Sequence, residues 1–179
     1  MFQITVNGHL HRFQERLTIL GALRSLKIEV PALCQDERMK PFGGCRLCIV
    51  QAKGSLRPVT ACTTEISDGM AIETHNREIE QTRRTLLRLL AHRYPADVVQ
   101  AFPDKEFHRL IRTYGLEEEC LGKASPELLD ESNPYIRVDM SQCISCNRCV
   151  RICEELQGQF VWQVWNRGDA SRILPDSGT

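Results

Sequence analysis

Apolar and polar residues alternate across FQITVN, residues 2–7, with the two-residue period of a half-buried strand. Asn7-Gly8 follows as a hairpin turn signal, and LHRFQERLTIL can return as a second strand. The period then changes. Leu20, Leu23, Leu26 and Ile28 in LGALRSLKI predict a short helix ending before Pro31. LCIVQAK reads as a strand, Gly54 as a turn, and PVTACTT and MAIETH as two more short strands. Strand, hairpin, helix, loop and further strands, in that order, predict a β-grasp sheet over residues 1–78.

The pattern shifts again at Asn76. REIEQTRRTLLRLLAHRY sets Ile79, Leu86, Leu87, Leu89 and Leu90 among charges, predicting a helix with one apolar stripe. A second helix is expected from Pro103 through EFHRLIRTY to Gly115, with a proline start and a glycine stop. Residues 79–119 thus form a helical segment. Residues 120–137 read as an acidic, irregular linker, with a short helix expected from Ser125-Pro126. The last segment, 138–179, holds the aromatic run FVWQVW and a polar tail ending DSGT. The fold class expected is α+β.

Composition adds little until the cysteines are counted. Apolar residues make up 42% and charged residues 26%, and 23 basic residues balance 23 acidic ones. That balance gives no whole-protein field for nucleic acid or an anionic membrane surface. MFQITVNGHL lacks a basic start and a long apolar stretch, and no 18-residue apolar run exists, so a soluble, cytoplasmic protein without a transmembrane segment is expected. Nine cysteines stand out. An odd count without a secretion signal argues against a disulfide framework and for metal or redox chemistry. Eight fall into two groups of four, Cys34/Cys45/Cys48/Cys62 and Cys143/Cys146/Cys149/Cys153, leaving Cys120 alone.

In the first group, CQDERMKPFGGCRLC puts three thiols in one loop, with the fourth on a later strand. Four soft thiolates suit a [2Fe–2S] cluster, and Gly43 and Gly44 leave a backbone able to curl around sulfides and aim N–H groups at them. The spacing departs from the plant-type pattern. The stretches VPALCQDERMKPFGGCRLCIVQ and ACTTEISDGMAIET resemble instead the N-terminal domain of the G-type (75 kDa) subunit of NADH:quinone oxidoreductase. Similar modules open NAD-linked formate dehydrogenase large subunits and iron-only hydrogenases. The resemblance implies that Cys34, Cys45, Cys48 and Cys62 ligate a [2Fe–2S] cluster. The competing reading is zinc or buried thiols, although zinc sites usually pair two short C-x2-C knuckles and one is missing here.

The resemblance also implies a following helical segment with one histidine and three cysteines around a [4Fe–4S] cluster. RRTLLRLLAHRYPADV resembles its entry and HRLIRTYGL its exit, yet ADVVQAFPDKEFH stands where thiols are expected. His92 lies near the family's ligating histidine, but one histidine cannot hold a cluster. His92 and His108 are therefore expected to be helix-surface residues, in a scaffold that has lost its cluster.

The second group, C-x2-C-x2-C-x3-C, is the bacterial ferredoxin run and signals [4Fe–4S] ligation. Its surroundings, SQCISCNRCVRICEELQG, resemble the first ferredoxin motif of formate dehydrogenase large subunits, with Glu154 in place of the usual proline. Cys143, Cys146 and Cys149 form the firm trio. In two-cluster ferredoxins the fourth cysteine of such a run serves the other cluster. Cys153 therefore serves the same cluster, or a partner chain donates a ligand, or a second motif follows beyond this stretch. Cys120, after three glutamates, is an unassigned thiol of raised pKa.

No G-x-G-x-x-G follows a strand, and no Walker loop or nucleophile–base pair appears, so no substrate-converting site is expected. The expected function is electron transfer within an NAD(P)-linked oxidoreductase complex; plant-type [2Fe–2S] potentials lie near about −400 mV, in the range of low-potential donors such as formate, hydrogen or NADH. The resemblance implies two partners. One is a molybdenum or tungsten formate dehydrogenase-type catalytic subunit, or a hydrogenase subunit; the other is a flavin/NAD-binding subunit. A hydrogenase or quinone-reductase assembly is the near alternative, and a zinc-stabilised non-redox adaptor the alternative of another class.

Overall fold

The computed structural model describes residues 1–175; residues 176–179, the end of the expected polar tail, lie outside the described residues. Two compact units form: residues 1–35 with 40–86, and residues 36–39 with the chain from Leu87 onward.

In the first unit, β1 (Phe2–Val6) and β2 (His9–Phe13) pair antiparallel, with Phe2 opposite Phe13 and Val6 opposite His9. Asn7 and Gly8 both have positive φ, 48° and 85°, the twist a two-residue hairpin needs. The strand expected over residues 10–20 ends at Phe13. Thr18 interrupts it: its hydroxyl accepts the Gly21 N–H at 3.1 Å and starts α1 (Ile19–Ser25). Ile19, Leu20, Ala22 and Leu23 of α1 are buried against the sheet.

β3 (Ile49–Ala52), β4 (Val59–Thr60) and β5 (Ala71–Glu73) complete a five-stranded sheet in the order β2-β1-β5-β3-β4. β1 and β5 are parallel, with Val6 beside Ile72, and the other pairs are antiparallel. The α1 stripe closes over Ile4, Val6, Val50, Ile66 and Ile72, a mixed α/β core of the β-grasp kind. β4 is shorter than the stretch PVTACTT suggested. After Thr60 the chain turns back, with the Thr64 N–H on Thr60 O at 3.1 Å, which takes Cys62 out of the ladder.

Helix α2 (Arg77–Ala91) begins where the Asn76 side chain accepts the Ile79 N–H at 2.9 Å, and it ends three residues before the expected Tyr94. Its first part packs with the sheet unit, and Ile79 is fully buried.

The second unit continues with α3 (Ala96–Ala101), a short helix the polar and apolar pattern did not announce. Next comes α4 (Glu106–Thr113), closed by Gly115 at φ 57°. A single tight turn covers Pro126–Leu128, and β6 (Leu129–Asp130) pairs with β7 (Val138–Asp139). α5 (Arg148–Ile152) carries Cys149 and ends directly before Cys153. β8 (Trp162–Trp165), from the aromatic run, pairs antiparallel with β9 (Arg172–Pro175). Among the described residues no helix is long and apolar enough to cross a membrane.

Candidate metal centres

All nine cysteines are free thiols. In the first unit, Cys34, Cys48 and Cys62 are buried and Cys45 half-buried. The loop holding them has almost no regular secondary structure and is shaped by backbone geometry instead. Gly43 sits at φ 71°, and Arg46, a non-glycine residue, is held at φ 59°. A Cβ on Gly43 would lie 3.1 Å from Thr63 Cγ2, and one on Gly44 would meet the Phe42 ring. Turn geometry favours glycine at 43, and close approach of the Phe42 ring disfavours a Cβ at 44.

The effect is to aim N–H groups at sulfur. The Cys45 N–H donates to Cys34 Sγ at 3.4 Å. The Cys34 thiol is brought down to about 6, chiefly by the Cys45 S–H and then by the N–H groups of Cys45 and Gly44, against the opposing effect of burial. Cys62 is lowered by the Cys48 thiol and, more weakly, by the Gly43 N–H. The donor partners Cys45 and Cys48 are pushed up, each first by the thiol it serves and then by burial. The four cysteines therefore meet as two thiol pairs, Cys34/Cys45 and Cys48/Cys62, in a pocket already prepared for negative sulfur. This donor set fits a [2Fe–2S] group: four soft ligands, buried, with amide donors directed at them.

In the second unit, Cys143 closes a tight turn, Met140–Gln142, capped by Asp139. The Asp139 carboxylate accepts from the Ser141 N–H at 3.0 Å, the Ser141 hydroxyl at 2.5 Å and the Gln142 side-chain amide at 2.7 Å. The chain then passes through left-handed residues Ser145 and Asn147, φ 53° and 58°, before α5 begins. Ser145 N–H donates to Cys143 Sγ at 3.4 Å. Desolvation raises the Cys146 thiol, and the Arg148 N–H and charge oppose it. The Cys149 thiol is raised by desolvation first, then by Cys146 and Cys143, so these three sulfurs lie within electrostatic reach of one another. Cys143 and Cys149 are exposed, whereas Cys153, one helical turn beyond Cys149, is buried. The trio fits three corners of a [4Fe–4S] group.

Among the described residues, no three His, Cys, Asp or Glu side chains converge on a single-ion position. A mononuclear site gathers its donors about 2.0–2.3 Å from one point. A cluster spreads its donors over several irons.

Between the two cysteine groups, the segment that resembles a cluster domain is filled with packed side chains. Tyr94, Val98, Val99, Phe107 and Ile111 are buried there. His108 is fully buried, which corrects the expectation of a helix-surface histidine; His92 is exposed as expected. Burial at His108 is possible because both ring nitrogens are satisfied. Phe102 O lies 2.6 Å from Nδ1 and can only accept, so Nδ1 carries the proton. The neutral ring's Nε2 then accepts from the Tyr94 hydroxyl at 2.6 Å. Tyr94 packs edge-on to Phe107 at 4.9 Å, and its hydroxyl is pushed up to about 12, mainly by burial. The Gly122 N–H on Tyr94 O, at 3.1 Å, fastens the acidic segment to this core. A Cβ at Gly122 would overlap Arg93 O. Cys120 is buried, its thiol raised by burial and then by Glu117 and Glu119, and it donates weakly to Leu116 O at 3.7 Å.

Residues 1–77 match the family described as "2Fe-2S iron-sulfur cluster binding domain", and residues 133–177 match "NADH-quinone oxidoreductase subunit 3, ferredoxin-like domain". The chain is 32% identical to a G-type NADH-quinone oxidoreductase subunit of Rhizobium meliloti, over 100% of the chain and 22% of that protein. It is 30% identical to NADPH-Fe(3+) oxidoreductase subunit alpha of Geobacter sulfurreducens, over 97% of the chain and 21% of that protein. It is 32% identical to NADP-reducing hydrogenase subunit HndD of Solidesulfovibrio fructosivorans, over 98% of the chain and 31% of that protein. The chain thus spans less than a third of these curated relatives. A solved structure of an NAD+-reducing [NiFe]-hydrogenase in the H2-reduced state aligns with a TM-score of 0.82 and 27% identity, covering 99% of this chain and 76% of that one.

The buried His108 makes stability depend on pH. Burial, with Lys105 adding to it, depresses the pKa below its unfolded value of about 6.5. The unfolded chain then takes up the proton first, so His108 contributes full stability above about pH 6.5 and loses it as pH falls through the depressed value. Thermal melts are expected to show this acid limb, and His108→Gln to flatten it. Tyr94→Phe should cost about 1–3 kcal/mol by leaving Nε2 unpaired. An unchanged acid limb in His108→Gln would show that other groups cause it.

Proposed function

The chain belongs to the iron–sulfur family shared by G-type NADH-quinone oxidoreductase, NADPH-Fe(3+) oxidoreductase and NADP-reducing hydrogenase subunits, and on that premise we propose that it is an electron-transfer module of an NAD(P)-linked oxidoreductase complex. Its cofactors are a [2Fe–2S] and a [4Fe–4S] cluster. The observation that carries the proposal is the pair of buried thiol couples under directed amides, on a chain that matches two iron–sulfur families in succession.

Cys34, Cys45, Cys48 and Cys62 hold the first group, and Cys143, Cys146 and Cys149 the second. The first lies in the segment 1–78, the second in the segment 138–179, and the helical segment 79–119 and linker 120–137 join them. Bound there, the clusters supply low-potential one-electron reduction and reoxidation. Cysteine ligation leaves the first site no open position for substrate, so the chain's own residues hold, shield and tune. Gly43, Gly44 and Cys45 direct N–H groups at thiolate sulfur and favour its negative charge. Burial of Cys34, Cys48 and Cys62 keeps water off three of the four ligands. Cys153, buried one helical turn beyond Cys149, serves the same [4Fe–4S] cluster or a neighbouring one.

For the catalytic partner, the likeness of SQCISCNRCVRICEELQG to formate dehydrogenase large subunits supports a molybdenum or tungsten formate dehydrogenase-type subunit, paired with a flavin/NAD-binding subunit. A hydrogenase partner is the second reading, supported by the TM-score of 0.82 with the [NiFe]-hydrogenase chain.

An anaerobic redox titration followed by EPR is expected to show two reduced signals, one of [2Fe–2S] and one of [4Fe–4S] type, both retained in Cys153→Ser. Loss of the [4Fe–4S] signal in that variant would make Cys153 its ligand. A wild-type chain with no reducible signal would end the electron-transfer reading. Affinity purification from the native cell should bring down a subunit containing molybdenum or tungsten; nickel or a di-iron site in its place would select the hydrogenase reading.

A further inference from the structure

Arg83 is the more deeply buried of the two buried arginines among the described residues, at 4% exposure against 8% for Arg151, and it lies on the face of α2 that meets the sheet. Its guanidinium is directed almost entirely at backbone carbonyls. Nε donates to Leu47 O at 3.1 Å, and Nη2 to Ile49 O at 2.8 Å and Thr74 O at 3.0 Å. Nη1 donates to the half-exposed carboxylate of Glu80 at 2.8 Å. Leu47 and Ile49 are the neighbours of Cys48 on either side, so the fork grips the peptide group that enters this cysteine of the first site and the next but one beyond it. Burying a cation is costly unless its donors are satisfied, and here the compensation comes chiefly from those carbonyls.

A strut between helix and sheet needs a hydrogen bond but no charge. This one puts a full positive charge in a poorly solvated place, hydrogen-bonded to the two residues that flank a cysteine ligand, with the Glu80 carboxylate on the solvent side. In such surroundings charges act over longer range and with less screening than in water. We infer that Arg83 is a positioning and potential-setting residue of the [2Fe–2S] site: it fixes Cys48 through the carbonyls of Leu47 and Ile49, and its charge favours the reduced, more negative state. Glu80 sets how much of that charge the site feels.

This rests on the [2Fe–2S] reading above, and the test separates the two. Midpoint potentials and EPR g-values of the [2Fe–2S] signal are measured in the wild-type chain, Arg83→Gln, Glu80→Gln and Arg84→Gln. Arg84 is the adjacent exposed arginine, so its loss is the same formal charge change without burial. Arg83→Gln is expected to move the midpoint negative and alter the g-values. Glu80→Gln should move it positive, because the buried cation is then less neutralised, and Arg84→Gln should shift it least. If Arg83→Gln assembles no cluster, the half-exposed Glu80→Gln still decides. An unmoved midpoint in Glu80→Gln, or shifts of one sign in both, would reduce Arg83 to a strut. A wild-type chain without the signal would instead overturn the [2Fe–2S] reading itself.

Discussion

The first unit turns on the donation of backbone N–H groups to cysteine sulfur within an irregular loop. The interior of a helix or of a paired strand uses its amides in its own ladder and has none to offer a ligand. The loop from Cys34 to Cys48 avoids that by using positive-φ positions at Gly43 and Arg46, which free the N–H groups of Gly43, Gly44 and Cys45 for the thiols. The consequence is a segment that cannot hold its own shape. The sheet, α1 and the Arg83 fork supply the rigidity it lacks, through Cys48 directly before β3 and the turn that carries Cys62 off β4.

The second unit uses the same device with less shelter. Left-handed Ser145 and Asn147 turn the chain between successive cysteines, and Ser145 donates to Cys143. Here Cys143 and Cys149 reach the surface. The intervening helices carry a different solution again. In place of soft ligands, Tyr94, Phe107 and His108 pack as aromatic neighbours, with each polar atom of the Tyr94–His108 pair matched. Buried polar groups fully satisfied in this way fix one arrangement of α3 and α4 around them.

Much of this was legible in the residues. Alternation in FQITVN, the Asn7-Gly8 turn and the Leu-rich stripe of α1 gave the sheet and its covering helix, and the cysteine spacing divided eight thiols into two sets. The paired glycines pointed to amides directed at the cluster sulfides; in the structure the Gly44 and Gly43 N–H groups help to lower the Cys34 and Cys62 thiols. What escaped has physical reasons. Thr18 reads as one more strand residue until its hydroxyl is seen capping α1. His108 looks polar in a pattern, and only its two partners, remote by six and fourteen residues, make burial tolerable. Arg83 sits in a run of charges, RRTLLR, yet the four-residue spacing Ile79–Arg83–Leu87–Ala91 places it on the buried stripe. That spacing was the available signal. β9 carries too few residues of any one pattern to declare itself before its pairing with β8 is known.

The central claim is that these two thiol sets hold clusters, not single ions. Metal and acid-labile sulfide analysis of the chain, purified without oxygen and weighed intact by native mass spectrometry, tests it most directly. A brown protein is expected, with iron and sulfide equal to one [2Fe–2S] plus one [4Fe–4S] cluster per chain. A colourless protein that holds zinc and no sulfide would contradict it.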